Sequence, residues 1–176
     1  MLPSIWQNER WQDDNLERAM APLAWRFQSL SKAGQRSVHF AVCFDALEAW
    51  RNYALDNATL GYQERVCGTF QAVDMELPHD AYHSAAVGKD LAKVASRYME
   101  PITAMQDGDL DFPEPINFAY YAIYNLFEHY AMDQPVKPWL IVNQAISADP
   151  SPSQWVARLR HALEAVPISV AQGDCP

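Results

Sequence analysis

Hydrophobic residues recur along much of this chain at the three- and four-residue spacing of an amphipathic helix, and no segment keeps the strict alternation of a half-buried strand. The clearest stripe is Phe40, Cys43, Phe44, Leu47, Trp50 and Ala54, with Asp45, Glu48, Arg51 and Asn52 opposite, which predicts a helix over 35–54. Ahead of it, Leu23, Phe27 and Leu30 mark a helix over 23–32, with Pro22 suited to its first turn and Gly34 to its C-terminal cap. Residues 1–21 are polar and mixed in sign, with Trp6 and Trp11 as large anchors, and read as an N-terminal arm.

After Asn57 and Gly61, the spacing of Val66, Phe70 and Val73 predicts helical structure over 62–75, ended by Pro78. A helix through Val87 and another over 89–105 follow, with Gly88 either separating them or bending one continuous element. The acids, glycine and prolines of 107–115 require a loop. The helix predicted over 116–132 is apolar around most of its circumference and belongs at the centre of a bundle. Its narrow polar strip holds Asn117, Tyr121, Asn125 and Glu128, of which Asn125 and Glu128 are candidates for lining a pocket. A short helix over 139–146 comes next. The last helix, over 151–166, opens with Ser151, Pro152, Ser153 and Gln154, a capping pattern, and buries Trp155, Leu159 and Leu163. With 167–176 as a flexible tail, the pattern predicts an all-α fold: one domain, an antiparallel bundle of six or seven helices.

Composition agrees with a folded core, since 49% of the 176 residues are hydrophobic and 20% charged. A formal charge of −9 argues against nucleic acid as a partner, because phosphate binding needs Lys and Arg. Cys43, Cys67 and Cys175 supply neither a disulfide framework nor a paired-cysteine metal site, which points to a reducing compartment. No basic, apolar leader opens the chain, and no run approaches the roughly 18 apolar residues of a membrane span, so the expectation is a cytoplasmic protein.

Candidate chemistry is sparse. His79 and His83 stand one helical turn apart, as metal ligands do, but Asp80 occupies the position next to His79 and no third ligand is indicated. The order His39, His79-Asp80, Asp133 superficially resembles that of HD-type metal phosphohydrolases, the enzymatic alternative, in which converging ligands hold ions that activate water. Asp107, Asp109 and Asp111 alternate as calcium loops do, yet Phe112 stands where an EF-hand needs glycine and Phe118 where it needs glutamate. Nucleophile elbows and glycine-rich phosphate loops are missing from the sequence, so neither a catalytic residue nor a cofactor or metal is expected. Aromatic excess leaves a self-assembling adaptor as a further alternative.

Charge gives the sharper expectation. Between Tyr98 and Val136 there are seven acids, Glu100, Asp107, Asp109, Asp111, Glu114, Glu128 and Asp133, and no lysine or arginine. The plain reading is a solvated surface; the functional one is a face that steers a basic protein partner. In that reading Asp107, Asp109, Asp111 and Glu114 provide complementary charge and Phe112 provides buried contact area.

The segment 33–43, continuing through Trp50-Arg51-Asn52-Tyr53, the Phe112-Pro113-Glu114-Pro115 loop and the helix 118–123 together resemble small helical bacterial immunity proteins of polymorphic-toxin systems. The resemblance covers about half the chain and carries no residue-level site. It implies a non-catalytic cytoplasmic antidote that occludes the active site of a cognate toxin.

Overall fold

The computed structural model describes residues 14–63 and 68–166. Among them are seven helices and one small hairpin: α1 (Asp14–Ser29), α2 (Lys32–Asp56), β1 (Gly61–Gln63), β2 (Phe70–Ala72), α3 (Leu77–Val87), α4 (Leu91–Asp107), α5 (Glu114–Tyr130), α6 (Pro138–Ser147) and α7 (Pro152–Glu164). The fold is an all-α helical bundle. One cluster of buried side chains draws on all seven helices. At its centre α2 packs against α5 and α6, and α5 also packs against α3. Trp6, Trp11, Val66 and the expected tail fall outside the described residues.

Two boundaries near the N-terminus differ from expectation for identifiable reasons. Residues 14–21, read as part of the arm, belong to α1: Asp14 and Glu17 sit in its first turn, where negative charge favours the helix dipole, and Met20 is fully buried. Pro22 therefore lies inside α1 rather than at its start. The break before α2 comes at Ser31, whose Oγ accepts from the Gly34 backbone N–H at 3.1 Å. Gly34 is thus in the first turn of α2, and a Cβ there would stand 3.2 Å from Leu30 Cβ and 3.3 Å from Val166 Cγ1, so its small size lets α2 approach both neighbours. In α2 itself the buried face runs through Val38, His39, Val42, Cys43, Ala46, Leu47 and Trp50, which turns Phe44 outward to 49% exposure.

The segment expected to be helical over 62–75 instead contains the hairpin. Its antiparallel register pairs Gly61 with Ala72, Tyr62 with Gln71 and Gln63 with Phe70. A side chain at Gly61 would collide with the Phe70 ring and the Gln71 carbonyl oxygen, and Gly68 adopts a left-handed backbone, φ 65°. Tyr62 and Val73 turn into the core, and Trp50 Nε1 donates to the Met75 carbonyl at 2.8 Å, tying the hairpin's exit to α2. Gly88, at φ 71°, caps α3 and separates it from α4 as a true break. Before α7, Ser151 holds the N-cap position, but its hydroxyl meets Ser153 Oγ at 2.8 Å instead of capping a backbone N–H.

Candidate functional site

The acidic loop between α4 and α5 has two faces. Leu110 and Phe112 are 4% and 3% exposed, whereas Asp107, Asp111 and Glu114 are exposed and Asp109 is half-buried. The alternation at 109–112 is that of an extended strand lying on a core. Phe112 packs edge-on to Trp50 at 5.2 Å between ring centroids and lies 5.5 Å from Tyr120 and 6.0 Å from Tyr53. Its expected role as a partner-facing aromatic is therefore corrected: the ring anchors the loop from inside. Burying a phenyl group of this size contributes roughly 2–3 kcal/mol.

Hydrogen bonds fix the same loop at both ends. The Asp109 and Leu110 backbone N–H groups donate to the Ala104 carbonyl at 2.8 and 3.1 Å, closing the end of α4 around Gly108. Asn117, on the first turns of α5, accepts from the Phe112 N–H at 3.2 Å and donates to the Phe112 carbonyl at 2.8 Å and to Asp111 Oδ1 at 2.7 Å. Asn117 thus clamps the loop to the helix that follows it.

The histidines separate into unrelated places. His39 is fully buried and uses both ring nitrogens within the fold, Nδ1 with the Tyr130 hydroxyl at 2.7 Å and Nε2 with the Pro138 carbonyl at 2.8 Å. A carbonyl can only accept, so Nε2 carries the proton and Nδ1 accepts from Tyr130. Burial is the main cause holding the His39 pKa down at about 4. His79 and His83 lie on α3 with their Nε2 atoms 3.1 Å apart, beside a pocket of about 320 Å³ also lined by Lys89, Lys93 and Arg97. Asp80 is committed to Arg97 at 2.6 Å, and Arg97 also reaches Asp74 at 2.7 Å. Among the described residues no group of three or more His, Cys, Asp or Glu side chains could hold a metal ion. Asp133 sits in the α5–α6 connection with a left-handed backbone, φ 52°.

A second pocket, of about 430 Å³, opens between α5 and α6 and is lined by Asn125, Pro135, Val136, Lys137, Trp139, Leu140 and Asn143. Asn125, a pocket candidate from sequence, does line it, with its Nδ2 donating to Gln144 Oε1 at 2.7 Å; Glu128 is not among the lining residues. Asn143 is 8% exposed, and its buried Oδ1 accepts no hydrogen bond. One turn further along the same helix, the Ser147 hydroxyl is buried and unpartnered as well. In the sequence, Asn143 falls inside a short apolar helix. Its signal is an amide pair, Asn143 and Gln144, in the run Leu140-Ile141-Val142-Asn143-Gln144-Ala145-Ile146, where water cannot serve every polar group.

Among the described residues no helix is long and apolar enough to cross a membrane. Compared with protein-family models, curated proteins and solved structures, the chain matches none of them.

Proposed function

We propose that this is a non-catalytic binding protein of the cytoplasm that docks a basic protein partner through the 107–114 loop, in the manner of an immunity protein covering the active site of its toxin. The observation that supports this reading is the two-sided build of the loop. Phe112 and Leu110 hold it from within, and Asn117 clamps it, while acids occupy the outward positions. A surface ordered before association loses little conformational freedom on binding, which leaves more of the contact energy as affinity. A stretch without lysine or arginine from Tyr98 to Val136 supplies the field that speeds encounter with a positive surface. His39 spends both nitrogens inside the fold, so the phosphohydrolase alternative lacks its first ligand.

The test is binding and neutralisation of a basic toxin encoded beside this gene, with the full chain compared against the combined variant Asp107→Lys, Asp111→Lys, Glu114→Lys. The wild type is expected to retain the toxin and block its activity, with affinity falling as salt rises. Charge reversal is expected to weaken binding about tenfold or more. Equal retention of the toxin by the two proteins, or failure of the wild type to neutralise it, rejects the reading.

A further inference from the structure

The α3 histidine pair carries an inference independent of the acidic loop. His79 and His83 stand one helical turn apart, and residues four apart share a helix face. The helix is fastened beneath them, because Leu77, Pro78, Ala81, Ser84 and Ala85 are buried and Gly88 closes its end. Both imidazoles therefore project from a fixed backbone, His79 half-buried and His83 exposed. Their Nε2 atoms are 3.1 Å apart while the ring centroids are 4.4 Å apart, so the rings lean together at their Nε2 edges. In that contact one ring donates an N–H to the lone pair of the other. Two nitrogens 3.1 Å apart, each about 2.0–2.1 Å from a shared zinc-like ion, subtend an angle of about 100° at it. That angle lies between the roughly 90° of square or octahedral coordination and the roughly 109° of a tetrahedron.

We propose that His79 and His83 form a two-nitrogen chelate for a divalent late transition-metal ion of the zinc, nickel and copper group, its remaining positions open to solvent and to small exogenous donors. Imidazole suits these ions, whereas calcium and magnesium take oxygen ligands. The ion replaces the proton that the two rings share. Asp80 Oδ1 lies 3.8 Å from His79 Nδ1, which favours the proton on Nδ1 and leaves the Nε2 lone pair for the metal. Arg97 holds that carboxylate at 2.6 Å, so the setting of His79 is tied to α4 as well. Around the pair, Lys89, Lys93 and Arg97 are matched by Asp74, Asp80 and Asp90, so no excess of positive charge repels a cation. The adjoining pocket of about 320 Å³ has room for the water or anion ligands that complete the coordination. With two protein ligands the site binds more weakly than a closed structural centre of four.

The experiment titrates zinc chloride into the untagged, ¹⁵N-labelled full chain in a non-chelating buffer near neutral pH, and follows the imidazole nitrogens by long-range ¹H–¹⁵N spectra. In the wild type the Nε2 resonances of His79 and His83 are expected to move together, with a Kd on the order of 10 μM. Those of His39 stay in place, since both its nitrogens are used within the fold. His79→Gln and His83→Gln are each expected to weaken binding about tenfold or more, while their backbone amide spectra show that the fold is kept. The double variant His83→Gln, Ala86→His keeps the number of imidazoles but sets them about 10 Å apart along the helix, and is expected to bind no better than His83→Gln. Zinc uptake without movement of the two Nε2 resonances, or equal affinity in the wild type and the variants, overturns the proposal. The acidic loop takes no part in this readout, so either result leaves its toxin-binding reading to its own test.

Discussion

His39 donates its Nε2–H to the carbonyl oxygen of Pro138 at 2.8 Å, joining the N-terminal half of α2 to the first residue of α6. The link is a neutral-imidazole bond in a fully buried site, with His129 and Tyr130 beside the ring and the Arg36 guanidinium over the Tyr130 ring. Burial lowers the His39 pKa from 6.5 to about 4, so the unfolded chain takes up a proton at a higher pH than the folded one. Stability from this group is therefore complete above pH 6.5 and is lost as pH falls from there to about 4. The shift corresponds to about 3 kcal/mol. Denaturant unfolding of wild type and His39→Gln at pH 7.0 and 4.5 is expected to show a pH-dependent gap between the two proteins that narrows in acid. A gap of constant size would mean that His39 remains free to protonate in the fold.

Arg97 offers a contrasting case. It links α4 to Asp80 on α3 and to Asp74 ahead of that helix, with all three side chains part-exposed. The Arg97 hydrogen bond is the leading cause of a lowered Asp80 pKa, so the stability this carboxylate contributes is present above the ordinary carboxylate range and disappears as pH falls below it. Replacing Arg97 with Met is expected to cost about 1 kcal/mol near neutral pH, since solvent screens the part-exposed carboxylates. The Asp80 titration, followed by carbon-detected NMR, should move upward in the same variant. An unmoved titration would show that Arg97 does not set it.

Phe112 and the acids around it should respond differently to substitution. Phe112→Ala removes a ring packed on Trp50 and Tyr120 and is expected to cost about 3–5 kcal/mol, measured as a loss in the denaturation midpoint. Asp111→Asn keeps the shape of an exposed side chain and should change stability by under about 0.5 kcal/mol. A small effect at Phe112 would contradict its role as the loop's internal anchor.

Gly61 can be tested by a single methyl group. Gly61→Ala places a Cβ into the Phe70 ring and the Gln71 carbonyl oxygen, and should destabilise the protein by about 1–3 kcal/mol while weakening protection of the hairpin amides from hydrogen exchange. Alanine at Gly34 tests a milder approach, with nearest contacts at 3.2 and 3.3 Å from side-chain carbons, and should cost less. Comparable losses at the two positions would mean that the strand pairing tolerates the methyl better than its geometry implies.

The helices most legible in the sequence were those whose burial follows from periodicity alone. The largely apolar circumference of α5 and the Trp155, Leu159, Leu163 face of α7 are present as expected. The hairpin was not legible because Phe70 and Val73 satisfy a helical spacing as well as a short strand pairing, and the deciding facts, Gly68 at positive φ and the close approach at Gly61, are conformational. The carboxylates beside Phe112 suggest a solvent-facing segment, whereas the ring is 3% exposed. The alternation of Leu110 and Phe112 with acids pointed the other way. Asn143 could not be assigned from sequence, since its pocket is assembled from two helices and their connection, and an unmet hydrogen bond exists only once they pack.

The alternation at 109–112 also divides labour within four consecutive residues. Inward positions secure the scaffold, and the outward Asp111 shares in that task by accepting the hydrogen bond from Asn117. Replacing the other outward carboxylates would change the charge of this surface while Trp50, Tyr120 and Phe112 keep the same platform beneath it.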